Sequence, residues 1–78
     1  MSKLFQERLK QLRKEKGITQ KELAYLLNTG QVRVWEWETG RYKPSMTAII
    51  ELTSIFKVSA DYLLGLENED GTKSYYDK

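Results

Sequence analysis

The sequence lacks cysteine and histidine altogether and contains a single proline. Without cysteine the chain cannot form disulfides, and without either residue it lacks the usual soft ligands of transition metals. A catalyst would need carboxylates and lysines gathered in a pocket, and no such constellation stands out in the sequence. We therefore expect no metal, no cofactor and no enzymatic activity.

Long apolar runs are also missing. No stretch approaches the roughly 20 apolar residues that a membrane helix needs, and residues 1–10 lack the apolar run of a secretion signal. With 78 residues, 40% hydrophobic and 31% charged, the chain has the composition of one small globular domain. We expect a cytoplasmic protein that does not bind membranes.

Charge is divided unevenly along the chain. Residues 1–43 carry ten basic and five acidic side chains, whereas residues 44–78 carry three basic and six acidic ones. A basic half indicates an anionic partner, but an ordinary solvated surface has the same pattern. Charge alone does not choose between the two.

Helix-start and helix-stop signals divide the chain into five predicted helices. Ser2 can cap the first helix, and Gly17 can end it in a left-handed conformation. Thr19 and Glu22 have the spacing of a reciprocal capping box, in which two otherwise unpaired backbone donors are satisfied. This pair is the clearest helix start in the chain.

The second and third helices are separated by only three residues, "NTG" at positions 28–30. Asn28 and Gly30 both tolerate the backbone angles of a tight turn. Two short helices joined so closely must cross at a steep angle.

The fourth and fifth helices follow a loop that contains the only proline. Ser45 can cap the fourth helix, and Ser59 can cap a short fifth helix that Gly65 ends. The apolar stripe of the fourth helix consists of Met46, Ile49, Leu52, Ile55 and Phe56, with Ile50 also available.

The segment "QVRVWEW" at residues 31–37 is ambiguous. A lone strand among helices would leave its backbone donors unpaired, so a helix is favoured. At 100° per residue, Val34 and Trp37 then lie on one side, and Val32 and Trp35 lie on the other. Periodicity alone does not show which pair faces the interior.

Four separated motifs occur in one register. They are TQ-x-x-LA at residues 19–24, V-x-x-WE-x-G spread over residues 34–40, Pro44-Ser45, and S-x-DYLLG at residues 59–65. In these motifs the chain resembles the Cro and phage-repressor type of helix-turn-helix protein, the XRE family. The resemblance implies an all-α, compact five-helix lambda-repressor-like bundle in residues 1–66, with helices 2 and 3 as the helix-turn-helix. Residues 67–78 have no apolar period, which predicts an acidic, flexible C-terminal tail, in which Tyr75 and Tyr76 could pack back or contact a partner.

The same resemblance assigns roles to individual residues. Val34 and Trp37 point inward, and helix 3 lies in the DNA major groove. Base contacts fall on Gln31, Val32, Arg33, Trp35 and Glu36. Phosphate contacts fall on Gln20, Arg41, Tyr42 and Lys43. Arg13 and Glu38 occupy the positions of a semi-buried ion pair between helices 1 and 3.

A homodimer is expected, because one recognition helix covers few base pairs. The candidates for its interface are Val58, Tyr62, Leu64 and Leu66, which could instead complete the core.

The resemblance implies a bacterial or phage regulator that binds double-stranded DNA, acting as a dimeric repressor on a palindromic operator without a small-molecule ligand. The alternative is a protein-interaction module, antitoxin-like or an adapter, that uses the same fold. DNA binding should weaken steeply with salt, whereas an apolar protein contact should not.

Overall fold

The computed structural model describes residues 3–73. Within them the chain forms five helices: α1 Lys3–Lys16, α2 Gln20–Leu26, α3 Gln31–Thr39, α4 Met46–Phe56 and α5 Ala60–Leu64. The only β feature of this part of the chain is an isolated antiparallel bridge between Glu67 and Lys73. The predicted all-α, five-helix architecture is confirmed.

Local hydrogen bonds set the helix starts. The Glu22 N–H donates to Thr19 Oγ1 at 3.0 Å, and the Thr19 N–H donates to Glu22 Oε1 at 2.8 Å, which confirms the capping box. Ser45 and Ser59 each accept a backbone hydrogen bond from the residue three positions later. The predicted cap at Ser2, like Tyr75 and Tyr76, lies outside the described residues.

The turn between α2 and α3 reverses the chain within residues 27–30. Asn28 adopts a left-handed conformation with φ 55°, and the Thr29 N–H donates to the Ala24 carbonyl at 2.9 Å. Gly30 is extended at φ −91° and precedes the first turn of α3, where the Arg33 N–H donates to the Gly30 carbonyl. Only Asn28 therefore uses the left-handed freedom that the sequence allowed at both positions.

The core collects apolar side chains from all five helices. α1 packs against α3, α4 and α5, and α2 packs against α3. The buried apolar residues are Phe5, Leu9, Leu23, Ala24, Leu27, Val34, Trp37, Ala48, Ile49, Leu52 and Leu63. The interior side of α3 is therefore the one that carries Val34 and Trp37.

The predicted apolar stripe of α4 is wrong at Met46, which is 80% exposed, and Ile50 is exposed as well. Leu52 is fully buried, and Met46 lies roughly 120° around the helix from it. Ala48, which the predicted stripe did not include, is buried instead.

A buried arginine joins the two ends of the described chain. Arg8 on α1 is 5% exposed, donates from Nη1 to the carbonyls of Tyr62 and Glu67, and lies over the Tyr62 ring at 4.0 Å. These contacts satisfy one carbonyl in the last turn of α5 and one carbonyl beyond the helix. Arg8 therefore has a structural role, although its charge was counted with the basic half of the sequence.

Residues 67–73 form a turn beside α5. The Asn68 N–H donates to the Thr72 carbonyl at 2.7 Å, and Lys73 Nζ contacts carboxylate oxygens of both Glu67 and Asp61. The flexibility of residues 67–78 stays a prediction.

Of the helices in the described part of the chain, none has the length and apolar character that crossing a membrane requires.

Candidate nucleic-acid interface

The orientation of α3 leaves one of its two apolar pairs uncovered. Val34 and Trp37 are 0% and 3% exposed, whereas Val32 and Trp35 are 67% and 46% exposed. The family resemblance predicted that Val34 and Trp37 point inward, and their burial confirms it. The outward side of α3 thus presents the pair Val32 and Trp35.

Polar side chains border this apolar pair. Gln31 and Arg33 are exposed, and Glu36 is partly exposed. Arg33 and Glu36 line a shallow groove with Tyr42 and Lys43. The outward side of the molecule therefore combines the apolar pair with hydrogen-bonding groups, Gln31 and Glu36, and with two cations, Arg33 and Lys43.

The loop after α3 brings further polar groups to this side. Gly40 ends α3 with φ 80°, and the Arg41 N–H then donates to the Glu36 carbonyl at 2.9 Å, which turns the chain back along the helix. Arg41, Tyr42 and Lys43 are all exposed.

An ion pair connects α1 to α3 beneath this surface. Arg13 Nε lies 2.6 Å from Glu38 Oε2, and Arg13 Nη2 lies 3.1 Å from Glu38 Oε1. Such a two-point contact fixes the planar guanidinium relative to the carboxylate. Arg13 also donates to the Ile18 carbonyl at 2.9 Å, so the same side chain holds the turn after α1.

Gln20 has a contact that the sequence did not indicate. Its Nε2 donates to Glu38 Oε1 at 3.1 Å, so the first residue of α2 is tied to the buried carboxylate of α3. The side chain is only partly exposed. No local spacing relates positions 20 and 38, which explains why sequence patterns could not reveal this bond.

The α3 N-cap is weak. Gly30 makes no side-chain cap bond, and a Cβ at this position would meet nothing within 4 Å. The start of α3 therefore has room for a larger cap residue.

The residues predicted for a dimer interface are placed in different environments. Val58 and Leu64 are partly buried and pack against the core, and Tyr62 carries the Arg8 guanidinium on its ring. Leu66 is 37% exposed. The structure therefore gives three of the four a role within the single chain, and an additional intermolecular role remains a prediction.

Comparison with known proteins identifies the architecture. A family model described as helix-turn-helix matches residues 9–63. The chain belongs to the helix-turn-helix family of the Cro and phage-repressor (XRE) type. The helix-turn-helix unit of this family member consists of α2, residues 27–30 and α3.

Named relatives of this helix-turn-helix protein are regulators. It is 39% identical over 59 residues to the HTH-type transcriptional regulator ImmR of Bacillus subtilis, a match that covers 76% of this chain and 46% of the relative. It is 36% identical over 63 residues to the HTH-type transcriptional activator BcrR of Enterococcus faecalis, covering 81% of this chain and 31% of the relative. The chain thus spans less than half the length of these two relatives.

A solved structure described as a transcriptional regulator from Listeria innocua is similar in fold. The TM-score is 0.76 at 35% sequence identity, over 83% of this chain and 61% of the other.

Proposed function

We propose that this helix-turn-helix protein binds double-stranded DNA in a sequence-specific manner and regulates transcription in the bacterial cytoplasm. The observation that carries the proposal is the outward side of α3, where Val32 and Trp35 stay exposed while Val34 and Trp37 anchor the helix. An α-helix fits the major groove of B-DNA, and this is the helix that helix-turn-helix proteins insert there.

Base contacts fall on the exposed residues of α3. Gln31 can form two hydrogen bonds with an adenine edge, and Glu36 can accept one from a cytosine amino group. Val32 and Trp35 supply the apolar part of the contact surface, and Arg33 lies at its edge.

Phosphate contacts fall on Gln20 and on the exposed loop of Arg41, Tyr42 and Lys43. The loop carries two cations directly after the recognition helix. Gln20 keeps one Nε2 hydrogen and its amide oxygen after bonding to Glu38. The remaining hydrogen can reach a phosphate, while the bond to Glu38 holds the amide in place.

The proposed regulator acts as a homodimer on a palindromic operator. Two recognition helices would read half-sites about 34 Å apart, or a multiple of this distance. The interface is proposed at Val58, Tyr62, Leu64 and Leu66. Leu66 is more exposed than Val58 and Leu64. A dimer bound over a promoter would repress it by excluding the polymerase.

Selection of bound sites from a random DNA pool tests the proposal directly. The expected result is an enriched palindromic motif whose affinity falls steeply as salt is raised, since phosphate contacts release counterions. Failure to enrich any motif would contradict sequence-specific binding. An enriched single half-site with monomeric stoichiometry would contradict the dimer alone.

The groove assignment has its own test. We predict that Gln31→Ala combined with Arg33→Ala lowers affinity for the selected site at least tenfold, because a good base contact is worth about 1 to 3 kcal/mol. Both side chains are exposed, so thermal stability should change little. The matched control is Gln11→Ala with Lys10→Ala on the exposed side of α1, which also removes one amide and one positive charge. Equal affinities of the two double variants for the selected site, measured by mobility shift, would refute the assignment.

One observation favours a second candidate function, that of a protein-interaction module. Tyr25 and Leu26 on α2 are exposed apolar residues, and they line a mostly apolar groove with Ile18. A partner bound there through apolar contacts would dissociate little as salt increases, in contrast to DNA.

A further inference from the structure

The outward side of α3 has an unusual chemical composition at its centre. Trp35, Val32 and Glu36 fall within about 100° of the helix circumference. No lysine or arginine lies inside this arc, and Arg33 lies roughly 60° beyond Glu36. The centre of the surface is therefore apolar and acidic, with cations only at its border.

This composition argues against guanine as the main base to be read. Guanine presents two acceptors, N7 and O6, in the major groove, and a bidentate arginine or lysine is its usual partner. Glu36 and Val32 offer no donor at the centre of the surface, and the single indole N–H of Trp35 cannot make a bidentate contact to both acceptors. Glu36 would also be repelled by the acceptor edge of guanine.

The apolar pair has one complementary feature in a major groove. Among the base edges, only thymine presents an apolar group there, the C5 methyl. The exposed cations Lys21, Arg33, Arg41 and Lys43 are available to the phosphates on either side. The charge distribution therefore suits a DNA duplex whose phosphates contact the cations around α3 and whose thymine methyl groups contact the apolar centre of its outward side.

We infer that Val32 and Trp35 read thymine C5 methyl groups, and that these methyl contacts specify the operator more than guanine contacts do. The inference rests on the proposed function and adds the chemical class of the sequence that is bound. It makes Val32 and Trp35 specificity-determining residues of α3, beside the polar contacts of Gln31 and Glu36.

Replacement of thymine by uracil provides the test, because it removes the methyl group and leaves the base-pairing edge intact. In duplexes of the selected site, single thymine-to-uracil changes should weaken binding by the full-length chain about fourfold at one or more positions in each half-site, the effect of burying one methyl group. Affinity would be measured by fluorescence anisotropy at fixed salt.

Variants assign the effect to the two side chains. Val32→Ala and Trp35→Ala should each abolish the uracil penalty at the position that the side chain contacts. Once the side chain is removed, loss of the methyl group costs no further affinity, which is the signature of a direct contact in a double-mutant cycle. Ile50→Ala, which shortens another exposed apolar side chain, on α4, should keep every penalty. Both test residues are exposed, so the variants should fold, and their circular dichroism spectra check this directly.

Each outcome decides a different point. Specific binding with no uracil penalty anywhere would overturn the inference and leave the proposed function in place. Uracil penalties that persist in both α3 variants would overturn the role of Val32 and Trp35. The absence of any selected site would overturn the proposed function and the inference together.

Discussion

At the scale of single residues, the two tryptophans of α3 have different roles although they are only two positions apart. Trp37 is 3% exposed, and its Nε1 has no hydrogen-bond partner among the described residues. It therefore stabilises the fold by packing and burial of apolar area rather than by a polar contact. Trp35 leaves nearly half of its surface open to a ligand.

This difference predicts opposite effects of the two alanine substitutions. Trp37→Ala should lower the free energy of unfolding by about 3 to 5 kcal/mol, enough to unfold much of so small a domain. Trp35→Ala should change it by about 0.5 kcal/mol or less, as at other surface positions. Thermal melts followed by circular dichroism give the ranking, and the reverse order would exchange the two sides of α3.

The ion pair of Arg13 and Glu38 allows a second residue-scale prediction. The side chains are 12% and 1% exposed, so removing one partner leaves a charge buried. Arg13→Ala and Glu38→Ala should each cost about 3 to 5 kcal/mol. The double variant should cost clearly less than their sum, because no charge is then left unpaired.

Urea denaturation of the two single variants and the double variant measures this coupling. Glu36→Ala, in the same helix but partly exposed, serves as the control and should have little effect on stability. Strictly additive losses would show that the pair contributes no coupling energy.

At the scale of the helices, capping defines where α2, α4 and α5 begin, and left-handed residues define where α3 and α5 end. These signals act within a few residues, so the sequence alone predicted the three caps and the end of α5 at Gly65. The α3 start is the exception, since Gly30 offers no side-chain acceptor to the first turn.

Two glycine substitutions should therefore act in opposite directions. Gly30→Ser should stabilise the domain by about 0.5 to 1 kcal/mol, because the backbone is already extended, the site is open and the serine can cap α3. Gly40→Ala should destabilise it by about 1 kcal/mol or more, because φ is 80° and the new Cβ would overlap the Gln6 amide. Both changes can be measured in one series of thermal melts. Stabilisation by Gly40→Ala would contradict the assigned conformation.

At the scale of the whole molecule, Arg8 and the turn at residues 67–73 join the two ends of the described chain. Arg8 donates to the Glu67 carbonyl at 2.7 Å across 59 positions of sequence. Lys73, and to a smaller degree Ser59, hold the pKa of the Glu67 carboxyl below its ordinary value, and Glu67 raises the pKa of Lys73 in turn. The turn is thus stabilised by charges that titrate.

The direction of these shifts predicts how the turn depends on pH. A lowered carboxyl pKa stabilises the folded turn above about pH 4.3, the value for a free glutamate, and this stabilisation is lost as pH falls through the folded pKa. The contribution of Lys73 is lost when pH rises through its raised pKa. We expect the amide protection factors of Asn68 and Gly71, which correct for the intrinsic pH dependence of exchange, to fall in acid while those of the α1 amides stay high.

Lys73→Gln is the matched variant for this prediction. It keeps a flexible polar side chain, one atom shorter, but removes the charge, so the titration midpoint of Glu67 in carboxyl NMR should rise toward that of a free glutamate. An unchanged midpoint would contradict the pairing of Glu67 with Lys73.

The sequence by itself determined the helices, their caps and the family, because helix ends depend on hydrogen bonds within a few residues and the motifs keep a fixed register. The apolar pattern alone did not determine the side of α3 that is buried, since Val34 with Trp37 and Val32 with Trp35 are equally apolar, and only the family resemblance indicated the first pair. Only packing against the other helices decides which pair is covered. The same holds for the burial of Arg8 and the bond from Gln20 to Glu38, because their partners lie far away in sequence and become neighbours only when the chain folds.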